Sequence, residues 1–258
     1  MIYDNYQRNH LIIPGREKAL YEFINQTYKG RKHKLKNAIN SNSEDALTWS
    51  CFEAISSLPL AKKISVLDEI LENAFDSKCN FNFKDLNYTD NDIQIFIGKE
   101  YIGTTSKEST EVDASIELPD KLIFIEAKLY SSISLADPAN KKPYDQIIKK
   151  LRVGLDSAEK RKFYFIFLDI APIAPLKKLS LRKSKQEALS NSNHGFKDKW
   201  KSAWWFSYYK NGSNRSLRPL REKLIGIPFE TEQSVANNMG WLTWSDLYKN
   251  ILRALLMN

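Results

Sequence analysis

Apolar residues recur every three to four positions through the first part of the chain, the spacing of amphipathic helices. This predicts helices over 16–28 (Leu20, Phe23, Ile24), 45–58 (Leu47, Cys51, Ala54, Ile55, Leu58) and 62–74 (Ile64, Leu67, Leu71, then Phe75). Ser41-Asn-Ser-Glu44 has the form of a capping box, with Ser43 as an alternative N-cap, and Pro59 is a stop signal. From residue 93 the period falls to two. Ile93–Ile97 reads as a strand, and 111–117 (EVDASIE) and 121–129 (KLIFIEAKL) read as an antiparallel pair turning at Pro119-Asp120. Helical spacing returns over 143–158, with Ile147, Ile148, Leu151 and Leu155 inward, and 163–170 (FYFIFLDI) is an apolar strand. Residues 177–201 are basic and aperiodic, a loop or insert; an aromatic cluster, an Asn-Gly turn at 211–214 and a final helix over 244–257 follow, the helix opened by Thr243-Trp-Ser-Asp246. This order predicts an α/β fold. It divides into an N-terminal helical segment (1–40), a core (41–175) and a helical, aromatic C-terminal extension packed on that core (176–258).

The hairpin is the most informative segment. If it turns symmetrically about Pro119–Asp120, opposed residues have numbers summing to 239, so Asp113 faces Glu126 and Glu111 faces Lys128. Side chains alternate between faces, which puts all four on one side of the sheet. Val112 with Ala127, Ala114 with Ile125 and Ile116 with Ile123 form an apolar opposite side. Three carboxylates and one ammonium crowded on a half-buried face repel one another unless a cation intervenes. A surface hairpin with cross-strand salt bridges is the plainer alternative. Against it, Ile123-Phe-Ile runs directly into Glu126-Ala-Lys128, so the charges grow out of a buried strand.

Composition narrows the chemistry. Three histidines and two cysteines, with no H-E-x-x-H or C-x-x-C, cannot assemble an ordinary structural zinc site. There is no G-x-S-x-G nucleophile elbow and no G-x-G-x-x-G; Gly98 and Gly103 have P-loop spacing, but Thr104 stands where the phosphate-binding lysine belongs. Any metal must then be held by carboxylates, which suit Mg²⁺ or Mn²⁺. No apolar leader opens the chain and no stretch is long enough to span a membrane, so a soluble cytoplasmic protein is expected.

Asp113, twelve intervening residues and then Glu126-Ala127-Lys128, preceded by an apolar strand and followed by an amphipathic helix, resemble the PD-(D/E)xK nuclease superfamily over residues 40–170. Val112 stands where that motif has proline. The resemblance implies a restriction-endonuclease-like fold: a three-layer core with a mixed central sheet flanked by helices. It implies that Asp113, Glu126 and the Ala127 carbonyl hold Mg²⁺ (or Mn²⁺), and that Lys128 positions or polarises the attacking water. It also implies an acidic residue on the preceding helix, best matched by Glu44, which could equally be a first-turn carboxylate favoured by the helix dipole. Glu53 is a weaker match. A polar residue on the following helix is matched by Gln146, which could instead be a surface glutamine; Lys150 occupies the tyrosine position of the Q-x-x-x-Y variant.

The activity so implied is metal-dependent hydrolysis of phosphodiesters, DNA ahead of RNA, in a restriction, repair or anti-phage setting. Cutting both strands at once takes two active sites, which a homodimer would supply. A formal charge of +8, from 39 Lys+Arg against 31 Asp+Glu, favours a polyanionic partner. Lys141, Lys142, Lys149, Lys150 and Arg152 lie close in sequence to the site and could grip the backbone, or simply form a solvated helix face. Lys29–Lys36 is a further basic run, either a phosphate-contacting patch or a solvated loop. Trp204, Trp205, Tyr208 and Tyr209 could stack bases or belong to the core. His194 has no identifiable partner. The alternative function is a nuclease-fold module that binds nucleic acid or protein without hydrolysis.

Overall fold

The change of period at residue 93 marks the entry of the chain into its sheet. The computed structural model describes residues 6–27, 38–40, 42–75, 79–129, 134, 136–169 and 217–256. In chain order the longer elements are α1 (Glu17–Ile24), α2 (Glu44–Ser56), α3 (Leu60–Phe75), β1 (Gln94–Ile102), β2 (Ser109–Glu117), β3 (Lys121–Ala127), α4 (Gln146–Ala158), β4 (Lys162–Asp169), α5 (Arg218–Lys223), α6 (Glu232–Asn237), β5 (Met239–Thr243) and α7 (Trp244–Leu256). The strands form one sheet in the order β1-β2-β3-β4-β5. The pairings β1–β2 and β2–β3 are antiparallel; β3–β4 and β4–β5 are parallel.

Helices cover both faces of this mixed sheet. On one face α2, α3 and α7 bury Phe52, Ile55, Leu67 and Leu247 against Ile116, Ile125, Ile166 and Leu242. On the other, α4, α5 and α6 bury Ile147, Leu151, Leu220 and Ala236 against Leu122, Phe124, Phe165 and Trp241. All seven residues of β3 are buried, which explains its nearly unbroken apolar run: a strand covered on both faces has no solvent side on which to alternate. Helix α2 is capped by Ser43, whose hydroxyl accepts the Ala46 N–H at 3.1 Å; Ser41 lies outside the described residues. The helix is buried beyond its expected stripe, because Trp49 on its flank packs with Leu20, Phe23 and Ile24 of α1.

The C-terminal segment plays a larger part than that of an extension. Its strand β5 pairs with β4 in the register Phe167↔Trp241, and α7 packs against α3. The sheet therefore crosses the boundary drawn at residue 175. Five residues, Met-Gly-Trp-Leu-Thr, all buried, carry no period long enough to announce a strand. The basic run 29–36, His194 and the aromatic cluster Trp204–Tyr209 lie outside the described residues. Among the described residues no helix is long and apolar enough to cross a membrane.

Candidate active site

The hairpin adopts the inferred register over Ala114↔Ile125, Ser115↔Phe124, Ile116↔Ile123 and Glu117↔Leu122. Beyond it the alternation breaks. On β2, Ala114 and Ile116 pack in the first core but Val112 in the second; on β1, Ile95 and Ile97 line the first core and Tyr101 the second. The switch falls at the opposed positions Gly98 and Asp113, which drop out of the ladder while its register is unchanged on either side. Gly98 has φ +66°, a conformation glycine takes without steric penalty. The expected pairing of Val112 with Ala127 on one apolar face therefore fails, since the two lie in different cores. At this break the Asp113 carboxylate itself accepts the Ala127 N–H, at 2.8 Å, one step past the last main-chain pair.

Glu126 is the polar residue of the buried strand end, 1% exposed. Lys128 Nζ lies 2.9 Å from its Oε1 and Lys150 Nζ 3.0 Å from its Oε2, while Gln146 Nε2 donates to Oε1. Lys128, also buried, donates to the Ala127 carbonyl at 2.7 Å and lies 3.3 Å from Glu44 Oε1. Glu44, the first residue of α2, accepts the Leu129 N–H at 2.7 Å through Oε2. The backbone of Lys128 is fixed on both sides: its N–H donates to the Leu168 carbonyl at 2.7 Å, and its carbonyl accepts the Trp244 indole N–H at 2.9 Å.

Among these residues three carboxylates (Asp113, Glu126, Glu44) face two ammoniums. Burial, reinforced by the Asp113 charge, pushes the Glu126 carboxyl above its ordinary range despite the lysines beside it. Burial would lower the Lys128 pKa, but Glu126, Asp113 and Glu44 outweigh it and keep the side chain an ammonium.

Asp113, Glu126, Lys128, Glu44 and Gln146 are thus brought together from β2, β3, α2 and α4. The other assignments need correction. The β2–β3 ladder ends at Ala114↔Ile125, short of the expected Glu111–Lys128 pair; Lys128 is held by Glu126 and Glu44, and Glu111 offers its main-chain carbonyl to Lys150. Lys150 is buried against Glu126 rather than lying on a solvated grip. Arg152 is buried rather than on a solvated helix face: it donates to both oxygens of Glu108 and to the carbonyls of Lys223 and Ile225, and it stacks on Tyr144. Glu53 is engaged by Arg16. Lys141, Lys142 and Lys149 do line a cleft of about 600 Å³, together with Tyr144, Gln146 and Lys150. Two contacts were not anticipated, that of Lys150 with Glu126 and that of Trp244 with the Lys128 carbonyl. Lys150 was legible in principle, four residues after Gln146 and so on the same helix face. Trp244, 116 residues from Lys128, carries no sequence signal.

The donor set suits a hard cation. Among the described residues no three His, Cys, Asp or Glu side chains form a cage by themselves; the implied set is two carboxylates and one carbonyl. The Lys128 ammonium already sits on two of those three groups, Glu126 and the Ala127 carbonyl, and Glu126 Oε2 is buried without a well-directed hydrogen bond. Positive charge is accommodated at this point, so Asp113, Glu126 and Ala127 fit the implied ion. In comparisons with protein-family models, curated proteins and solved structures, nothing matches the chain.

Proposed function

We propose that this protein is a Mg²⁺- or Mn²⁺-dependent nuclease of the PD-(D/E)xK type, with a restriction-endonuclease-like fold, that hydrolyses phosphodiester bonds in DNA. The observation that carries this reading is the convergence of Asp113, Glu126, Lys128, Glu44 and Gln146 at the end of one buried strand. Asp113, Glu126 and the Ala127 carbonyl would hold the ion, whose chemistry is to withdraw charge from the phosphoryl group and to lower the pKa of water. Lys128 supplies a fixed positive charge that orients the attacking water and balances charge developing on the phosphate. Glu44 anchors that ammonium from α2. Gln146 fixes the rotamer of Glu126 from α4. Lys141, Lys142 and Lys149 along the neighbouring cleft supply phosphate contacts without reading sequence.

Purified protein should cut DNA, or failing that RNA, with Mg²⁺ or Mn²⁺ and not with EDTA. Asp113→Asn keeps an oxygen for the Ala127 N–H, so it should fold normally and lose about a hundredfold or more in rate; Lys128→Ala should lose a similar factor. Full activity in a folded Asp113→Asn protein would overturn the assignment.

The alternative is a module of the same fold that binds nucleic acid without hydrolysis. The two ammoniums favour it, because they already balance most of the negative charge that a metal would neutralise. EDTA-insensitive retention of nucleic acid, with every substrate left intact, would select it.

A further inference from the structure

Charge counting around Glu126 raises a difficulty for the nuclease reading. Asp113, Glu126 and Glu44 carry three negative charges, and Lys128 and Lys150 carry two positive ones, a net charge of minus one. A divalent cation would turn this into net plus one, among groups of which Glu126, Lys128 and Lys150 are at most 6% exposed. Uncompensated charge in such surroundings is strongly unfavourable. Departure of one ammonium restores neutrality.

The contacts identify which one is free to leave. Lys128 holds Oε1 of Glu126 and is also tied to Glu44, which is not among the implied ligands, whereas the other oxygen, Oε2, is held by Lys150 and is the one a cation could take without displacing Lys128. Lys150 makes its polar contacts with Glu126 Oε2 and the Glu111 carbonyl, and it is one of the residues lining the cleft with Lys141, Lys142 and Lys149. That cleft, crowded with positive charge, attracts phosphate oxygens. A lysine stem has the rotatable bonds to turn from one side of the wall to the other.

We propose that Lys150 is an exchangeable counter-ion. It neutralises Glu126 while the cleft holds no strand, and turns to a phosphate of the bound strand when a divalent cation takes Glu126, so that cation and strand favour each other's binding. This inference rests on the nuclease reading and adds a regulation to it: metal loading gated by the nucleic-acid backbone. By linkage the effect is reciprocal.

The test is a titration of the full chain with Mn²⁺, free ion being read by electron paramagnetic resonance. It is run with and without a short phosphorothioate single strand, whose own Mn²⁺ binding is subtracted. Without the strand, Lys150→Met and Lys150→Gln should each bind Mn²⁺ about tenfold more tightly than wild type, since a repelling charge a few ångströms from the ion has gone. Lys150→Arg, which keeps the charge, should stay at the wild-type value. Adding the strand should tighten Mn²⁺ binding in wild type by about ten times more than in the two neutral variants, closing the gap. Lys142→Met, in the same cleft but away from Glu126, should weaken strand binding and leave strand-free Mn²⁺ affinity unchanged. Equal or weaker Mn²⁺ binding by the neutral variants, or equal tightening by the strand in all of them, would overturn the proposal. If these couplings appear but no phosphodiester is cut, the hydrolytic assignment alone fails.

Discussion

At the scale of single residues, burial redirects several charged side chains to structural work. The P-loop spacing of Gly98 and Gly103 is a case in point. The stretch between those glycines lies in β1, and the turn after Gly103 wraps a carboxylate of the protein itself. The N–H groups of Thr105 and Ser106 donate to Asp156 at 3.0 and 2.7 Å, and the Thr104 hydroxyl joins them at 3.2 Å. Successive amides pointing inward make an anion nest, here filled by the last turn of α4. Burial alone would raise the Asp156 pKa, but hydrogen bonds from Ser106 and Thr105 outweigh it and hold the group at about 2, against 3.8 for the free side chain. A depressed carboxylate stabilises the fold fully above its unfolded pKa and loses that contribution as pH falls through the folded value. Asp156→Asn should therefore cost about 2 kcal/mol at pH 7. Urea denaturation from pH 6 to pH 2 should show the difference from wild type shrinking below pH 4 and mostly gone at pH 2.

At the scale of elements, the site depends on how closely α4 lies on the sheet, because Gln146 and Lys150 reach Glu126 from that helix. Gly154 makes the approach possible: a Cβ there would lie 2.2 Å from the Phe163 ring and 3.1 Å from Phe124. The two rings are packed edge to face with centroids 5.1 Å apart, so neither can yield alone. Gly154→Ala should destabilise the protein by about 1–3 kcal/mol, the usual penalty of overpacking, read as a lowered urea midpoint with unchanged slope. The hairpin register was legible because Pro119-Asp120 marks the turn and the apolar residues near it leave one face-matched pairing. The phase switch at Gly98 and Asp113 was not legible. It depends on two strands changing face together, and neither strand's own pattern of mixed residues shows that.

At the scale of the whole molecule, the C-terminal region, expected to pack on the core, also supplies a contact to the site. β5 extends the parallel half of the sheet, and α7 begins with Trp244, whose indole holds the Lys128 carbonyl. Trp244→Phe keeps most of the ring but leaves that carbonyl without its donor. It should cost about 1–3 kcal/mol and, by loosening Lys128, slow any metal-dependent cleavage more than an equally destabilising change elsewhere. Thermal melts and rates compared with Val235→Ala, a core truncation in α6 that touches none of the site residues named here, would show this. The same region explains why α3 is buried so deeply, since it packs on both β5 and α7.

Periodicity and turn chemistry were enough to establish the five longer helices and the hairpin with its register near the turn, and to gather Glu111, Asp113, Glu126 and Lys128 at its far end, because these follow from interactions between residues near one another in the chain. The fifth strand, the flip of Val112 to the other core, the diversion of Arg152 to Glu108 and the capture of Lys150 by Glu126 were settled only by packing. Each depends on what a distant segment brings alongside, and a charged side chain enclosed in this way must take whatever partner the fold places within reach.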